Sequence, residues 1–264
     1  MAPGVRILAF VFTHEGPARS LRKNAILAGY LAFVAGFVNS GGFVLIGSFT
    51  SHVTGSIGRL SSDLATRDSN AAIFAALLVV AFFLGAFVAS LIIETNVFNN
   101  VSRAYGVALL GEAGLLTTFI FIAGLSRATH ARVLDAEAAI LCLAMGMQNS
   151  LVTRLSGAVI RTTHLTGVVT DLGIEAARWY RWHRARISWV PVLIPVRNPP
   201  TRPVLVKTAI LLTITLAFTA GAVAGAVLTL QESRWAMLFP AGGILGASTF
   251  AFWSPKRSAD AHPP

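Results

Sequence analysis

The chain has 264 residues, 55% of them hydrophobic and 12% charged, with a mean hydropathy of +0.69; soluble domains carry about 25% charged residues, so water is not its main solvent. Its one cysteine, Cys142, lies in an apolar run, which excludes a disulfide framework and a cysteine-type metal site; no metal and no other cofactor is expected. A formal charge of +10 would suit nucleic acid, but the basic residues collect beside apolar segments, so no nucleic-acid partner is expected and anionic lipid headgroups are the natural counter-charge.

Residues 1–23 form a basic arm. Its apolar stretch from Val5 to Thr13 is too short for a secretory signal and lacks a small-residue cleavage site, so the arm is expected to be retained. A bilayer-spanning helix needs about 20 apolar residues, and six windows qualify: 26–48, 72–93, 105–125, 134–153, 206–230 and 235–253. Between the first two windows stands Thr50-Ser51-His52-Val53-Thr54-Gly55, preceded by Gly36, Asn39 and Ser40. The second window carries the ladder Ala81-Gly85-Ala89, whose four-residue spacing permits close helix packing. The third holds Glu112 with no basic neighbour on its own face. A carboxyl there can exchange a proton, as carboxylates in coupled transporters do, or can stay neutral, or can bond an amide.

The fourth window brings Gly146, Gln148, Asn149 and Ser150, followed by Thr162-Thr163-His164-Leu165-Thr166-Gly167. These repeat the first motif at offsets of 110 and 112. The fifth window repeats the second at 136, AFTAGAVAGAVL (217–228) over AFFLGAFVASLI (81–92), with Ala217-Gly221-Gly225 as the matching ladder. The sixth matches the third weakly at 131, so that Gly243 stands opposite Glu112. Between the fourth and fifth windows, Arg178 to Arg202 is rich in arginine, tryptophan and proline. It is too interrupted to span, and suits the headgroup layer; a disordered loop is the other reading.

Six spans thus divide three plus three. An odd number of helices per unit forces the second copy to enter from the opposite face, which is an inverted repeat. The expected fold is an all-α integral membrane protein with two inverted three-helix repeats, residues 24–125 and 126–253, and broken or re-entrant segments after the first and fourth helices. The second repeat contains a cytoplasmic interfacial insertion at 178–205, and residues 254–264 are a tail. Sixteen of the 21 lysines and arginines fall on one side, so both termini are expected in the cytoplasm.

Such repeats are typical of secondary transporters, although duplication can also serve only to build a stable bundle. On the transport reading, Asn39, Thr50, His52, Thr54, Gln148, Asn149, Thr162, His164 and Thr166 bind a small polar or anionic solute, and Glu112 couples it to protons. On the other, the histidines cap helices at the two water interfaces and the amides join helix to helix. The protein is then a scaffold that binds lipid or a partner through its basic-aromatic segment. The ladders pack halves or protomers together, and a homo-oligomer is compatible with them. No nucleophile elbow, phosphate-binding glycine loop or H-E-x-x-H helix is present, so an enzyme is not expected.

At these motifs the sequence resembles the YoaK-like family of bacterial membrane proteins, whose function is unknown. The matching pieces are AGYLAFVAGFVNSGGF (28–43), SHVTGSIGRL (51–60) and AMGMQNSLVTRLSGAVIRTTHLTGVVTDLG (144–173), of which the last is the most specific. The resemblance runs from about residue 22 to 253 and implies a six-helix bacterial inner-membrane protein. It departs from the family's pattern at Asn39, where aspartate is more frequent, and at Thr54-Gly55-Ser56, in place of T-G-N.

Overall fold

The computed structural model describes residues 21–95, 101–125, 131–155, 165–185 and 201–253, and every regular element among them is helical. In chain order these are α1 (Leu21–Ile46), α2 (Val53–Ala65), α3 (Ser69–Glu94), α4 (Val101–Leu125), α5 (Ala131–Leu155), α6 (Leu165–Arg184) and α7 (Leu205–Glu232). A 3-10 turn (Ser233–Met237) then leads into α8 (Leu238–Trp253).

Four stretches are long and apolar enough to cross a membrane: Ala25–Ile46, Ser69–Glu94, Val101–Ala123 and Leu205–Phe252. The last has 48 residues, about twice the length of a single span, and the 3-10 turn breaks it into α7 and α8. Large apolar side chains cover the outside of these helices, with Leu230 74%, Ile73 67%, Leu216 66% and Phe83 64% exposed. A soluble monomer rarely leaves so much contiguous apolar surface to water, whereas lipid is a suitable solvent for it. This is a membrane-type helical protein.

The fourth expected span, α5, is not among the four. It carries Arg132, Asp135, Glu137 and Arg154, and its apolar residues are spent on protein rather than lipid. Leu141, Ala144, Met145 and Met147 are all buried, packed by α3, α4 and α1. A helix wrapped by others needs less hydrophobicity than one facing acyl chains, which is why a hydropathy threshold passes over it.

The packing follows an exchange pattern. α1 lies most extensively on α7, α3 on α5, and α4 on α8, while α1 and α5 touch each other. Glycines set the two main crossings. A methyl group on Gly36 of α1 would overlap the carbonyl oxygen of Phe218 on α7, and one on Gly146 of α5 would overlap that of Phe82 on α3. Conversely, Gly85 of α3 faces the carbonyl of Leu143, and Gly221 of α7 that of Phe33. Each pair of contacts is related to the other by the sequence offsets of 110 and 136. Backbones approach this closely only where a side chain is missing, and dispersion and Cα–H contacts then hold the crossing.

Polar contacts fasten the remaining joints. Ser90 and Ser150 hydroxyls meet at 2.7 Å between α3 and α5, whose ends are also joined by the Arg154–Glu94 ion pair. The Ser248 hydroxyl donates to the Gly106 carbonyl at 2.8 Å between α8 and α4. Residues 178–184, the start of the expected interfacial insertion, are the last two turns of α6. The prolines that break the segment begin only at Pro191, and Arg178–Glu175 and Arg184–Tyr180 contacts within the helix support its extension.

Candidate functional site

The chain breaks after α1 in a defined way. Gly47 ends the helix in the left-handed region, φ 68°, where a side chain would be strained, and its N–H donates to the Phe43 carbonyl at 2.9 Å. The following residues fold back over α1 because one buried atom gathers them. Asn39 Oδ1 accepts the Thr50 N–H and the Ser51 N–H, each at 3.1 Å, and the Ser51 hydroxyl at 3.0 Å. Thr50 is thereby buried, and its Oγ1 has no hydrogen-bond partner.

His52 follows as the N-cap residue of α2, without a capping bond from its side chain. Its ring covers Gly55, which has no side chain to displace it, and stands edge-on to Phe49 at 6.2 Å; Phe49 in turn stacks on Phe43 at 4.4 Å. These rings, with Ser56, Arg59 and Phe74, wall a half-open cavity of about 290 Å³. The guanidinium and imidazole are the polar groups of this otherwise largely apolar and aromatic wall, and they can hydrogen-bond a small polar solute. Thr54 points away from this cavity and is exposed on α2.

Deeper in the bundle, Glu112 of α4 is completely buried, and neither carboxyl oxygen has a hydrogen-bond partner. The Tyr30 hydroxyl occupies the space left by Gly243 of α8, 2.9 Å from where a Cβ would stand. Gln148 of α5 is also fully buried; its Nε2 donates to the Leu31 carbonyl at 3.2 Å, and its Oε1 is unpartnered. Tyr30 and Leu31 are consecutive, so Gly243 and Gln148 address the same turn of α1. A charged carboxylate without a donor is costly in such surroundings, so this pocket accepts the anion only when a cation or donor reaches it.

The expected site residues therefore fall into separate groups. Asn39 and Thr50 are joined directly, with His52 just beyond them. Gln148 lies eight residues back along α1, roughly 12 Å at the helical rise. Asn149 is half-buried on α5, where its carbonyl accepts the Thr153 hydroxyl. Thr166 is exposed in the first turn of α6, and Thr162 and His164 lie outside the described residues. α2 rests on α3 and α6 on α7, and among the described residues these two short helices share no extensive contact. Sequence reasoning passed over Tyr30, Arg59 and Phe49. A tyrosine inside an apolar helix is the one local signal among them, and its seat against Gly243 is a long-range fact.

The model of one protein family matches residues 27–250, from the first turns of α1 through most of α8. The chain belongs to the DUF1275 family, described as proteins of unknown function. Asn39, Glu112 and Gln148 all lie within the matched DUF1275 region, which is consistent with the resemblance carried by residues 28–60 and 144–173. No curated protein and no solved structure matches the chain.

Proposed function

We propose that this DUF1275 protein is a secondary transporter, or permease-like protein, for a small polar or anionic solute. On this reading six spans, α1, α3, α4, α5, α7 and α8, form two inverted three-helix repeats in a bacterial inner membrane. The exchange of partners between α1–α7 and α5–α3 supports the repeat, since the glycine crossings recur at the sequence offsets. The excess of basic residues on one side supports cytoplasmic termini.

The observation that carries the proposal is Glu112. An unpaired carboxyl in the middle of an apolar span is expensive to keep for packing alone, and intramembrane acids of this kind serve as proton-binding groups. Its surroundings give it a mechanism. Its helix, α4 of the first half, packs on α5 and α8 of the second, and on this reading a small relative movement of the halves opens it to water. The cavity beside His52 and Arg59 is then one mouth of the path, and the Asn39-held break is its hinge.

The test is flux in proteoliposomes containing a trapped pH dye. Sulfate, phosphate, nitrate and neutral amino acids are added in turn outside, with the membrane potential clamped by potassium and valinomycin. At least one solute should move protons in wild type, and Glu112→Gln should abolish that movement while the protein remains folded. Dye traces identical to those of empty vesicles for every solute would count against transport.

The scaffold reading has one observation in its favour: among the described residues α2 and α6 share no extensive contact, so the two histidine-containing motifs are not packed together through these helices. Under it, Glu112 is a neutral buried acid and the bundle interior never opens.

A further inference from the structure

A second cavity, away from the bundle interior, lies where α6 meets the start of α7. It measures about 340 Å³ and is lined by Arg178, Arg181, Arg202 and Lys207 around one acid, Glu175. Glu175 is buried to 2% side-chain exposure and already committed: Arg178 approaches its Oε1 at 2.7 Å and Lys207 at 3.1 Å. Four cations thus share a single carboxylate, and Arg181 and Arg202 have no salt-bridge partner among the described residues. Such an excess of charge in a half-open concavity calls for an anion with several oxygens.

The surroundings point to which anion. Val204 lines the cavity, and the next residue, Leu205, begins the apolar stretch Leu205–Phe252. From there Leu205, Leu212, Leu216, Val223 and Val227 form an exposed stripe down α7 at helical spacing. On the α6 side, Trp179 donates its indole N–H to Thr208 at 3.2 Å, and Arg202 lies over the Trp182 ring at 5.7 Å. Tryptophan and arginine side by side, at the level where a span begins, mark the headgroup layer. A phosphate site opening on an apolar stripe has the two-part chemistry of a lipid.

We infer that the α6–α7 junction is a binding site for the headgroup of an anionic phospholipid, its phosphate held by Arg181, Arg202 and Lys207 and its acyl chain laid along α7. Glu175 is the positioning residue: it fixes Arg178 and Lys207 while leaving a net positive pocket. The site is independent of the transport reading and would exist in a scaffold equally well.

Native mass spectrometry of the purified full chain, titrated in detergent with phosphatidylglycerol, phosphatidylcholine or inorganic phosphate, tests the inference. Phosphatidylglycerol should be retained at about tenfold lower concentration than phosphatidylcholine. The Arg181→Gln/Arg202→Gln variant should lose that preference, and Arg202→Gln alone, in the coil before α7, should reduce it about threefold. Millimolar inorganic phosphate should not displace the lipid. Equal retention of the two lipids overturns the inference, as does a preference unchanged in a folded variant. Displacement of phosphatidylglycerol by phosphate alone would make the cavity a free-anion site and contradict the lipid assignment.

Discussion

Asn39 shows how much one side chain can organise. Its Oδ1 holds three donors from the segment that leaves α1, and losing it strands two backbone N–H groups in a largely buried place. Asn39→Ala is therefore expected to destabilise the fold by about 2 kcal/mol, read as a lowered unfolding temperature in detergent. Asn39→Asp keeps the accepting oxygen and should unfold within a few degrees of wild type. Glu175 makes a different kind of prediction. The Lys207 ammonium hydrogen-bonded to it, with the Arg178 guanidinium beside it, holds its carboxyl below the usual carboxylate range. A lowered folded pKa means that the stabilisation is fully present above the ordinary carboxylate pKa and is lost as the pH falls through the folded value. Thermal unfolding followed from neutral to acidic pH should lose part of its downward slope in Glu175→Gln.

At the scale of the helices, the glycine crossings are the feature on which the architecture depends. Gly36→Val and Gly146→Val each press a side chain into a carbonyl on the partner helix. Each should cost about 1–3 kcal/mol by overpacking, and the two should be alike because the contacts are related by the same offsets. Gly114, around which there is open space, is the control: Gly114→Ala should be neutral or slightly stabilising, since alanine is the better helix former. Much of this was legible in the sequence. The apolar windows lie over helices, and Gly36, Gly85, Gly146 and Gly221 belong to motifs and ladders visible as strings of letters. What was not legible has physical causes. A helix continues as far as its hydrogen bonds allow and does not stop where hydropathy falls, so α1 and α5 begin before their apolar windows. The arginine-rich end of α6 was merged with the proline-rich residues after it because composition was averaged over both. The meeting of Tyr30 with Gly243 joins two helices distant in sequence, and no local spacing encodes it.

For the whole molecule, the question is whether the close-packed bundle described here is one of two states. Transport requires that the α1–α7 and α3–α5 pairs move relative to each other, so that Glu112 on α4 is exposed in turn to one aqueous mouth and the other. A scaffold requires that they stay fixed. Solvent access to position 112 separates the two most directly. With Glu112→Cys in a Cys142→Ala background, membrane-impermeant thiol reagents are applied to oriented vesicles from either face. Slow labelling from both faces is expected, because the two aqueous mouths reach the position in turn. A position 112 that is never labelled from either face, in a protein that remains folded, would contradict it.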